Sequence, residues 1–273
     1  MKVGVLGPQG TYSELAARKH FGAGVQLVYF PTVTDIAEAV PKCKVGAGLI
    51  PVESLRDGSV GEALDTLAWT DVKAQAEVVL PVSYSILGIN GAKLKNIKRV
   101  LSHPQAISQC RNFLRKHLPR AELIEMSSTS KAAEQVAKLM QPYTASIGSE
   151  DQARLYKLKI LKRNIQKGEI NLTRFLCIAK SDSKRTGHDK TSIVFNTDRD
   201  KPGILHQILG EFATRRINLT KIESRPSKKV LGDYLFFVDF EGHREDPKVK
   251  KALEGLKKKT ARLKIIGSYP RKF

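Results

Sequence analysis

Short apolar runs alternate with amphipathic segments along the first 180 residues, which is the pattern of repeated βα units. Residues 3–6 form the first apolar run, and a Gly7-Pro8-Gln9-Gly10 loop follows it. Thr11-Tyr12-Ser13-Glu14 comes next with the spacing of a helix capping box. The runs at residues 27–30 and 46–50 are also followed by helix starts, at about Thr34 and at a second predicted capping box, Ser59 to Glu62. This part is therefore predicted to be an α/β lobe.

A second set of βα units follows two extended segments at about residues 77–80 and 82–87. The apolar runs at residues 100–102, 123–126 and 145–147 each precede a polar helix start. These starts are His103-Pro104-Gln105, with Pro at the first helical position, the cluster Ser127-Ser128-Thr129-Ser130, and a third capping box, Ser149 to Gln152. Because helix N-termini follow strand ends in two similar lobes, the sequence predicts an anion-binding cleft between them.

The pattern changes after a polar linker at residues 181–190. A strand at residues 193–197 precedes a helix that opens at Lys201-Pro202-Gly203. A strand ending at Pro226, a turn at residues 227–232, an alternating strand, a helix and a last strand at residues 263–266 complete the chain. The order βαββαβ over about 80 residues is that of a ferredoxin-like unit.

The stretch Asn171-Leu172-Thr173-Arg174-Phe175 places polar side chains at the mouth of an apolar strand, residues 175–178. An Arg fork suits a carboxylate, and a Thr hydroxyl can donate to a departing oxygen. A Thr at a strand start and an Arg reaching solvent would be the purely structural interpretation. The two-lobed plan favours the interpretation as part of an anion site.

Charge and cysteine content limit the classes of partner. The net charge of +20 divides evenly, +10 before Lys190 and +10 from Lys190 onward, so there is no separate polybasic tail. We therefore expect a solvated basic surface and no specific nucleic-acid site. Three dispersed cysteines and the lack of an apolar run near 20 residues predict a cytoplasmic protein with no membrane segment. The loop after the first strand lacks the third glycine of a dinucleotide-binding motif, so we do not expect a nucleotide ligand.

Taken in order, several motifs resemble those of the prephenate dehydratase family over essentially the whole chain. In the second domain the resemblance is to a regulatory ACT domain, through Gly203-Ile204-Leu205 and Glu223-Ser224-Arg225-Pro226. In the first domain it rests on Gly7-Pro8-Gln9-Gly10-Thr11-Tyr12-Ser13, Pro51-Val52-Glu53 with Gly58 and Val60, His103-Pro104-Gln105-Ala106 with Gln109, Ser128-Thr129-Ser130, and Thr173-Arg174-Phe175.

The resemblance implies a two-lobed α/β catalytic domain, like a type 2 periplasmic binding protein, at residues 1–182. Lobe one would be about residues 1–80 with the closing strand, and lobe two about 81–175. A ferredoxin-like ACT domain, residues 190–273, would bind phenylalanine between the subunits of a dimer or tetramer. The family usually has Asn-Ser where this chain has Ser54-Leu55. Because the chain starts at the first strand, we expect a single activity without a fused chorismate mutase.

The implied reaction is the loss of carbon dioxide and water from prephenate, with no cofactor and no metal. Thr173 would hydrogen-bond the departing hydroxyl, with Glu53 or a water as a second proton source, and Arg174 would hold the pyruvyl carboxylate. The further implied substrate-binding residues are Phe175, Thr11, Tyr12, Ser13, Glu53, Ser54, Gln109, Ser128 and Thr129. The implied phenylalanine-binding residues are Gly203, Ile204, Leu205, Asn218, Leu219, Glu223, Ser224, Arg225 and Pro226.

Three alternatives stay open at the level of sequence. Arogenate dehydratase would take the substrate with an amino group in place of the keto group. A non-catalytic amino-acid sensor would bind a ligand in the same cleft, although the retained Thr173-Arg174 pair argues against it. A nucleic-acid module would explain the charge, but the chain lacks interleaved aromatic and basic residues.

Overall fold

A computed structural model describes residues 1–166, 171–197, 201–228 and 232–272. Three β-sheets organise the described residues, and the predicted α/β class is confirmed. No helix in these ranges is both long and apolar enough to cross a membrane.

The first sheet belongs to lobe one. The elements of this lobe are β1 (Lys2–Leu6), α1 (Tyr12–Phe21), β2 (Gln26–Phe30), α2 (Val33–Ala39), β3 (Ala47–Ser54), β4 (Gly58–Ser59), α3 (Gly61–Trp69), β5 (Lys73–Pro81) and β11 (Leu172–Ala179). The strand order is β2-β1-β3-β11-β5, with the short β4 paired to β3. β1 runs parallel to β2 and β3, whereas β11 returns from the end of the domain and lies antiparallel between β3 and β5.

The second sheet forms the other lobe. Its elements are β6 (Ser85–Gly88), β7 (Arg99–Ser102), α4 (Pro104–Gln109), α5 (Arg111–His117), β8 (Glu122–Glu125), α6 (Thr129–Leu139), β9 (Thr144–Gly148), α7 (Glu150–Leu155) and β10 (Lys159–Lys162). The strand order is β10-β6-β9-β7-β8. Two crossovers connect the parallel strands β7, β8 and β9, and helices cover both faces of the sheet.

The third sheet has the predicted βαββαβ succession. Its elements are β12 (Asp189–Asn196), α8 (Ile204–Ala213), β13 (Leu219–Pro226), β14 (Tyr234–Glu241), α9 (Pro247–Lys257) and β15 (Arg262–Pro270). The sheet is antiparallel, in the order β13-β14-β12-β15, and its last strand is longer than predicted. Both helices pack on one face against apolar side chains such as Phe195, Val238 and Phe240.

The opposite face of the third sheet packs on lobe one. Phe237, Ile266 and Tyr269 share one apolar core with Leu67 of α3 and Leu176 of β11. β15 also comes very close to β5, since a Cβ added at Gly267 would lie 2.2 Å from the carbonyl oxygen of Ala74. A side chain cannot fit between the two backbones, so the glycine permits this contact.

The capping predictions had mixed outcomes. The box from Ser149 to Gln152 is confirmed, with both reciprocal hydrogen bonds present. The box from Ser59 to Glu62 is wrong, because α3 begins after Val60 and has no side-chain cap. The Glu62 carboxylate instead accepts from the backbone N–H of Val33, 3.1 Å away, at the start of α2. The predicted turn at residues 227–232 includes 229–231, which lie outside the described residues.

Candidate active site between the lobes

Alternation along β11 separates the side chains of the central motif onto two faces of the first sheet. Thr173, Phe175 and Cys177 lie on the α1 face, where Phe175 and Cys177 join an apolar core with Val5 and Val78. Leu176 and Ile178 lie on the opposite face, in the core shared with the third sheet. Thr173 and Arg174 therefore point to different parts of the molecule.

Thr173 lies opposite Ser54 on β3 and Leu80 on β5, at the end of the sheet that faces the second lobe. It is half-buried, and its hydroxyl has no hydrogen-bond partner among the described residues. A hydroxyl in this state is free to donate to a bound molecule.

A hydrogen-bonded chain connects the closing strand with both lobes beside Thr173. The Asn171 amide donates from Nδ2 to Oε1 of Gln109, 2.9 Å away. Gln109, at the end of α4 in lobe two, donates from Nε2 to Oδ2 of Asp57, 2.6 Å away, in the loop of lobe one. Ser54, predicted as a substrate ligand, donates to the same Asp57 oxygen over 3.0 Å. These hydrogen bonds fix the orientation of the Gln109 amide, at which the two lobes meet.

The Gly7-to-Gly10 loop forms a second junction between the lobes. Its Gln9 carbonyl accepts from Ser130 and from the Tyr156 hydroxyl, the latter over 3.1 Å. The Gly10 carbonyl accepts from Gln152 Nε2 over 3.0 Å. Gly10 has φ of +84°, and an added Cβ would lie 2.7 Å from Leu155, so the loop requires glycine there. This junction holds the loop after β1 against lobe two.

Most of the other predicted substrate residues serve local structure. Thr11 donates to the Leu6 carbonyl, Ser128 caps α6, and Thr129 accepts from Gln152 Nε2. Ser13 is buried on α1, and the Tyr12 hydroxyl donates to the Ser83 carbonyl over 2.6 Å. The structure brings Thr173 and Gln109 to the same end of the cleft, but it does not bring the hydroxyls of Thr11 and Thr129 there unpaired.

Burial governs the titratable groups around the cleft. It raises the pKa of Tyr12 well above its ordinary value, and it raises the pKa of the Cys110 thiol to about 12. Burial also lowers the pKa of His103, although the nearby Asp57 acts to raise it. His103 caps α4 by accepting from the Gln105 N–H over 3.3 Å. Burial therefore favours the uncharged form of each of these three groups.

A cavity of about 360 Å³ opens on the lobe-two side of Gln109. Phe113 and Ile165 supply apolar walls, while Arg56, Lys116 and His117 lie around it. The volume falls within the range of small-molecule sites. An aromatic or cyclic anion fits this combination of apolar wall and basic rim.

Arg174 does not point into the cleft, contrary to its predicted contact with a substrate carboxylate. Its guanidinium donates to Glu77 over 2.9 Å, to Asp239 over 2.7 Å and to the Tyr269 hydroxyl over 2.7 Å. Asp239 and Tyr269 belong to the third sheet. Arg174 therefore connects the two domains, and each of its three guanidinium nitrogens already donates a hydrogen bond.

Four buried charged side chains and one buried tyrosine hydroxyl form a single cluster, which we call the interdomain cluster: Arg174, Glu77, Lys190, Asp239 and Tyr269. Burial disfavours the charged guanidinium, but Tyr269, Asp239 and Glu77 more than offset this and raise the pKa of Arg174. Burial, together with the neighbouring Arg174, lowers the pKa of Lys190. Glu77, which is fully buried, also accepts from Lys190 over 3.2 Å.

Glu53 faces the same side as Arg174, because the two residues pair across β3 and β11. Its carboxylate lies 3.3 Å from Arg174 and 3.6 Å from Lys221 of β13. The predicted roles of Glu53 as a substrate ligand and proton source are not supported by this placement. A groove of about 700 Å³ between the domains, lined by Glu53, Arg174 and Leu219 among others, lies on this side.

The predicted phenylalanine-binding residues lie at two ends of the third sheet. Gly203, with φ of +82°, precedes α8 at the end of the sheet where β12 finishes, and Ile204 and Leu205 follow it. β13 runs in the same direction as β12, so Pro226 lies at this end of the sheet and Asn218 lies at the opposite end. Seven residues of strand separate Asn218 from Arg225, which is about 23 Å. One subunit therefore does not bring all of these residues to one small ligand.

Two residues of the Glu223-Ser224-Arg225-Pro226 motif contact lobe one. Ser59 of β4 donates to the Glu223 carboxylate, and Arg225 lies 3.2 Å from Asp65 of α3. Ser224 and Pro226 are exposed. Because Ser59 is two residues from Asp57, the motif is connected by a short path to the chain that includes Gln109.

Sequence reasoning did not identify Asp57, Glu77, Asp239 or Tyr269 as functional. Glu77 carries a usable signal, since a carboxylate within an apolar strand implies a buried partner. Asp57 carries no such signal, because an Asp before a Gly in a loop is also typical of an ordinary turn.

The chain is similar to known proteins over its whole length. Residues 3–183 match the family model of prephenate dehydratase, and residues 191–258 match that of the ACT domain. A bifunctional chorismate mutase/prephenate dehydratase of Aquifex aeolicus is 44% identical over 271 residues, which are 99% of this chain and 74% of that protein. A prephenate dehydratase of Methanocaldococcus jannaschii is 40% identical, with 96% of each chain covered.

A solved structure shares the same fold. The prephenate dehydratase of Arthrobacter aurescens, in complex with L-Phe, superposes with a TM-score of 0.91 at 32% sequence identity. The match covers 99% of this chain and 90% of that one, so both domains and their connection are included.

Proposed function

Since the chain belongs to the prephenate dehydratase family, we propose that it converts prephenate to phenylpyruvate in L-phenylalanine biosynthesis. It is a dehydratase, that is, a carbon–oxygen lyase. The observation that carries the proposed site is the hydroxyl of Thr173 on the cleft face of β11, which has no hydrogen-bond partner in the described part of the chain.

The reaction requires little more than an oriented substrate and a proton. The bond from C1 to its carboxylate breaks, its electron pair enters the ring, and the bond from C4 to the hydroxyl oxygen breaks. The departing oxygen takes up one proton, so carbon dioxide, water and phenylpyruvate result. Thr173 passes its hydroxyl proton to this oxygen as the C4–O bond breaks, and a proton from solvent restores the Thr173 hydroxyl. Proton donation of this kind is worth about 10²- to 10⁴-fold in rate.

The substrate carboxylates need partners other than Arg174. The basic rim of the cavity beside Gln109, formed by Arg56, Lys116 and His117, is the proposed position of the pyruvyl side chain. The ring carboxylate must lose its charge as carbon dioxide leaves. A tight ion pair to that carboxylate would stabilise the ground state and oppose the reaction.

Phenylalanine is the proposed inhibitor, bound by the ACT domain. The Arthrobacter relative was solved in complex with L-Phe, and the predicted binding residues lie at both ends of β13. Antiparallel pairing of two β13 edges would bring the start of one strand beside the end of the other. Ile222, 48% exposed on this edge strand, would be covered by such pairing. We therefore propose a homo-oligomer, at least a dimer, that works in the cytoplasm.

Purified protein mixed with prephenate tests the proposed activity, with phenylpyruvate followed by its absorbance in alkali. We expect conversion of prephenate, and a parallel reaction with arogenate followed by phenylalanine release measures preference. Faster conversion of arogenate would assign the chain to arogenate dehydration. Binding of either compound without turnover would indicate a sensor.

A further inference from the structure

Two side chains that lie two positions apart at the start of β11 each have a polar atom without a partner among the described residues. The first is the Thr173 hydroxyl oxygen. The second is Oδ1 of Asn171, which is buried and accepts no hydrogen bond from the part of the chain that the structure describes. Asn171 is only 4% exposed, so this carbonyl is costly to leave unpaired. An unpaired buried acceptor calls for an explanation such as a bound ligand.

Both side chains lie on the cleft face of the strand. Leu172 and Arg174, the residues that alternate with them, line the groove toward the third sheet. Asn171 contacts Gln109 of the second lobe. Two residues of extended strand separate Asn171 from Thr173, about 6.6 Å along the backbone. At this spacing, one small group that displaces the atoms now covering Oδ1 can contact both side chains.

The chain of amides fixes which atom of Asn171 is unpaired. The Asp57 carboxylate can only accept, so Gln109 must present its Nε2 to Asp57 and its Oε1 to Asn171. Asn171 must then donate with Nδ2, which leaves Oδ1 as the free atom. Exchanging the two atoms of either amide would place two donors or two acceptors against each other. The site therefore offers an acceptor from Asn171 and a donor from Thr173.

An alcohol matches this pair, because its oxygen accepts one hydrogen bond and its proton donates another. Prephenate as a dianion has a single O–H group, the hydroxyl on C4, which is also the leaving group. We infer that Asn171 accepts a hydrogen bond from the C4 hydroxyl of prephenate and thereby directs an oxygen lone pair at Thr173. This inference rests on the proposed function.

The contact strengthens as the reaction proceeds. When the C4–O bond breaks and the oxygen gains the proton from the Thr173 side, the group becomes water with more positive hydrogens. The negative charge of Asp57 polarises the chain through Gln109, which makes Oδ1 of Asn171 a better acceptor. Interactions that are stronger in the transition state than in the ground state raise kcat. Asn171 is thus a catalytic residue in contact with substrate.

Replacement of Asn171 tests the inference by steady-state kinetics. Asn171→Leu keeps the branched shape of the side chain but removes the acceptor, so we expect kcat to fall about 30-fold or more and KM to change less than about threefold. The matched control is Asn196→Leu, since Asn196 lies at the end of β12 and also has a buried Oδ1 that finds no partner within the described ranges. The control should retain wild-type kcat. If Asn171→Leu does not fold, Asn171→Ser replaces it with the same expectation.

A ligand pair tests the contact without turnover. Tetrahydroprephenate has a saturated ring and cannot aromatise. Calorimetry measures the binding of this compound and of the analogue that lacks its C4 hydroxyl. Loss of the hydroxyl should weaken binding to the wild type at least tenfold but to the Asn171 variant less than threefold, because the two removals affect one interaction. Equal losses in both proteins, or wild-type kcat in both Asn171 variants, would overturn the inference. A wild type that leaves prephenate unchanged would refute the proposed function instead.

Discussion

At the scale of residues, Thr173 and Arg174 are neighbours in sequence with separate tasks. The sequence predicted that both lie at the start of a strand, which is confirmed by β11. Treating them as one substrate-binding pair was wrong, because successive side chains of a strand point to opposite faces. The alternation itself was available from the sequence. The identity of the partners on the second face, Asp239 and Tyr269, was not, since both come from another domain.

Substitution of Arg174 should affect stability more than substrate affinity. Arg174→Lys cannot supply all the donors used for Glu77, Asp239 and Tyr269, and damage to a buried ion pair costs up to about 3–5 kcal/mol. We expect a lower urea midpoint and a KM for prephenate within about threefold of wild type. Asp239→Asn, in the same interdomain cluster, should show the same pattern. A KM raised tenfold or more with an unchanged urea midpoint would restore Arg174 as a substrate ligand.

At the scale of elements, apolar periodicity predicted nearly every strand and helix, but their ends depended on tertiary contacts. Ser149 caps its helix as predicted because its partner Gln152 lies within the same turn. Glu62 fails to complete the box with Ser59 because its carboxylate reaches Val33 of another helix. Local motifs were predictable where all their partners are local.

Two glycine substitutions should change stability in opposite directions. Gly267→Ala places a Cβ 2.2 Å from the Ala74 carbonyl oxygen, so β15 must move away from β5. Overpacking of this kind costs about 1–3 kcal/mol. Gly210→Ala lies within α8 with no atom near its added Cβ, and alanine should stabilise the helix by up to about 1 kcal/mol.

Urea denaturation of Gly267→Ala, Gly210→Ala and wild type measures the two expected changes in the free energy of unfolding. Equal stability of Gly267→Ala and wild type would show that β15 and β5 are not in close contact in solution. A destabilised Gly210→Ala would contradict the open surroundings of that helix position.

At the scale of the whole molecule, part of the positive charge is used between the domains. Arg262 donates to the Ala68 carbonyl over 2.8 Å, and Lys264 donates to the Leu67 carbonyl over 2.6 Å, both at the C-terminus of α3. Cations are favourable at that end of a helix. The even charge distribution was visible in the sequence, but its role in docking the ACT domain against α3 required the folded chain.

Ser59 is expected to couple the ACT domain to the cleft. It donates to Glu223 and accepts from Lys221 over 2.6 Å, two residues from Asp57. Phenylalanine inhibition should amount to about 5- to 150-fold, as is typical of coupling between sites. Ser59→Ala should reduce this factor while leaving kcat without phenylalanine within about twofold. Thr214→Ala, which removes an exposed hydrogen bond within the ACT domain, is the control and should leave inhibition unchanged. If phenylalanine inhibits Ser59→Ala as strongly as wild type, Ser59 does not couple the ACT domain to the cleft.

The central claim is that the Thr173 hydroxyl assists departure of the C4 oxygen. The most direct measurement is the rate of phenylpyruvate formation at saturating prephenate for wild type, Thr173→Val and Thr173→Ser, after equal urea midpoints have shown that all three are folded. Valine keeps the shape without the donor, so its kcat should fall at least 100-fold, whereas serine keeps the donor and should retain a measurable part. A Val variant within about threefold of wild type would contradict the account.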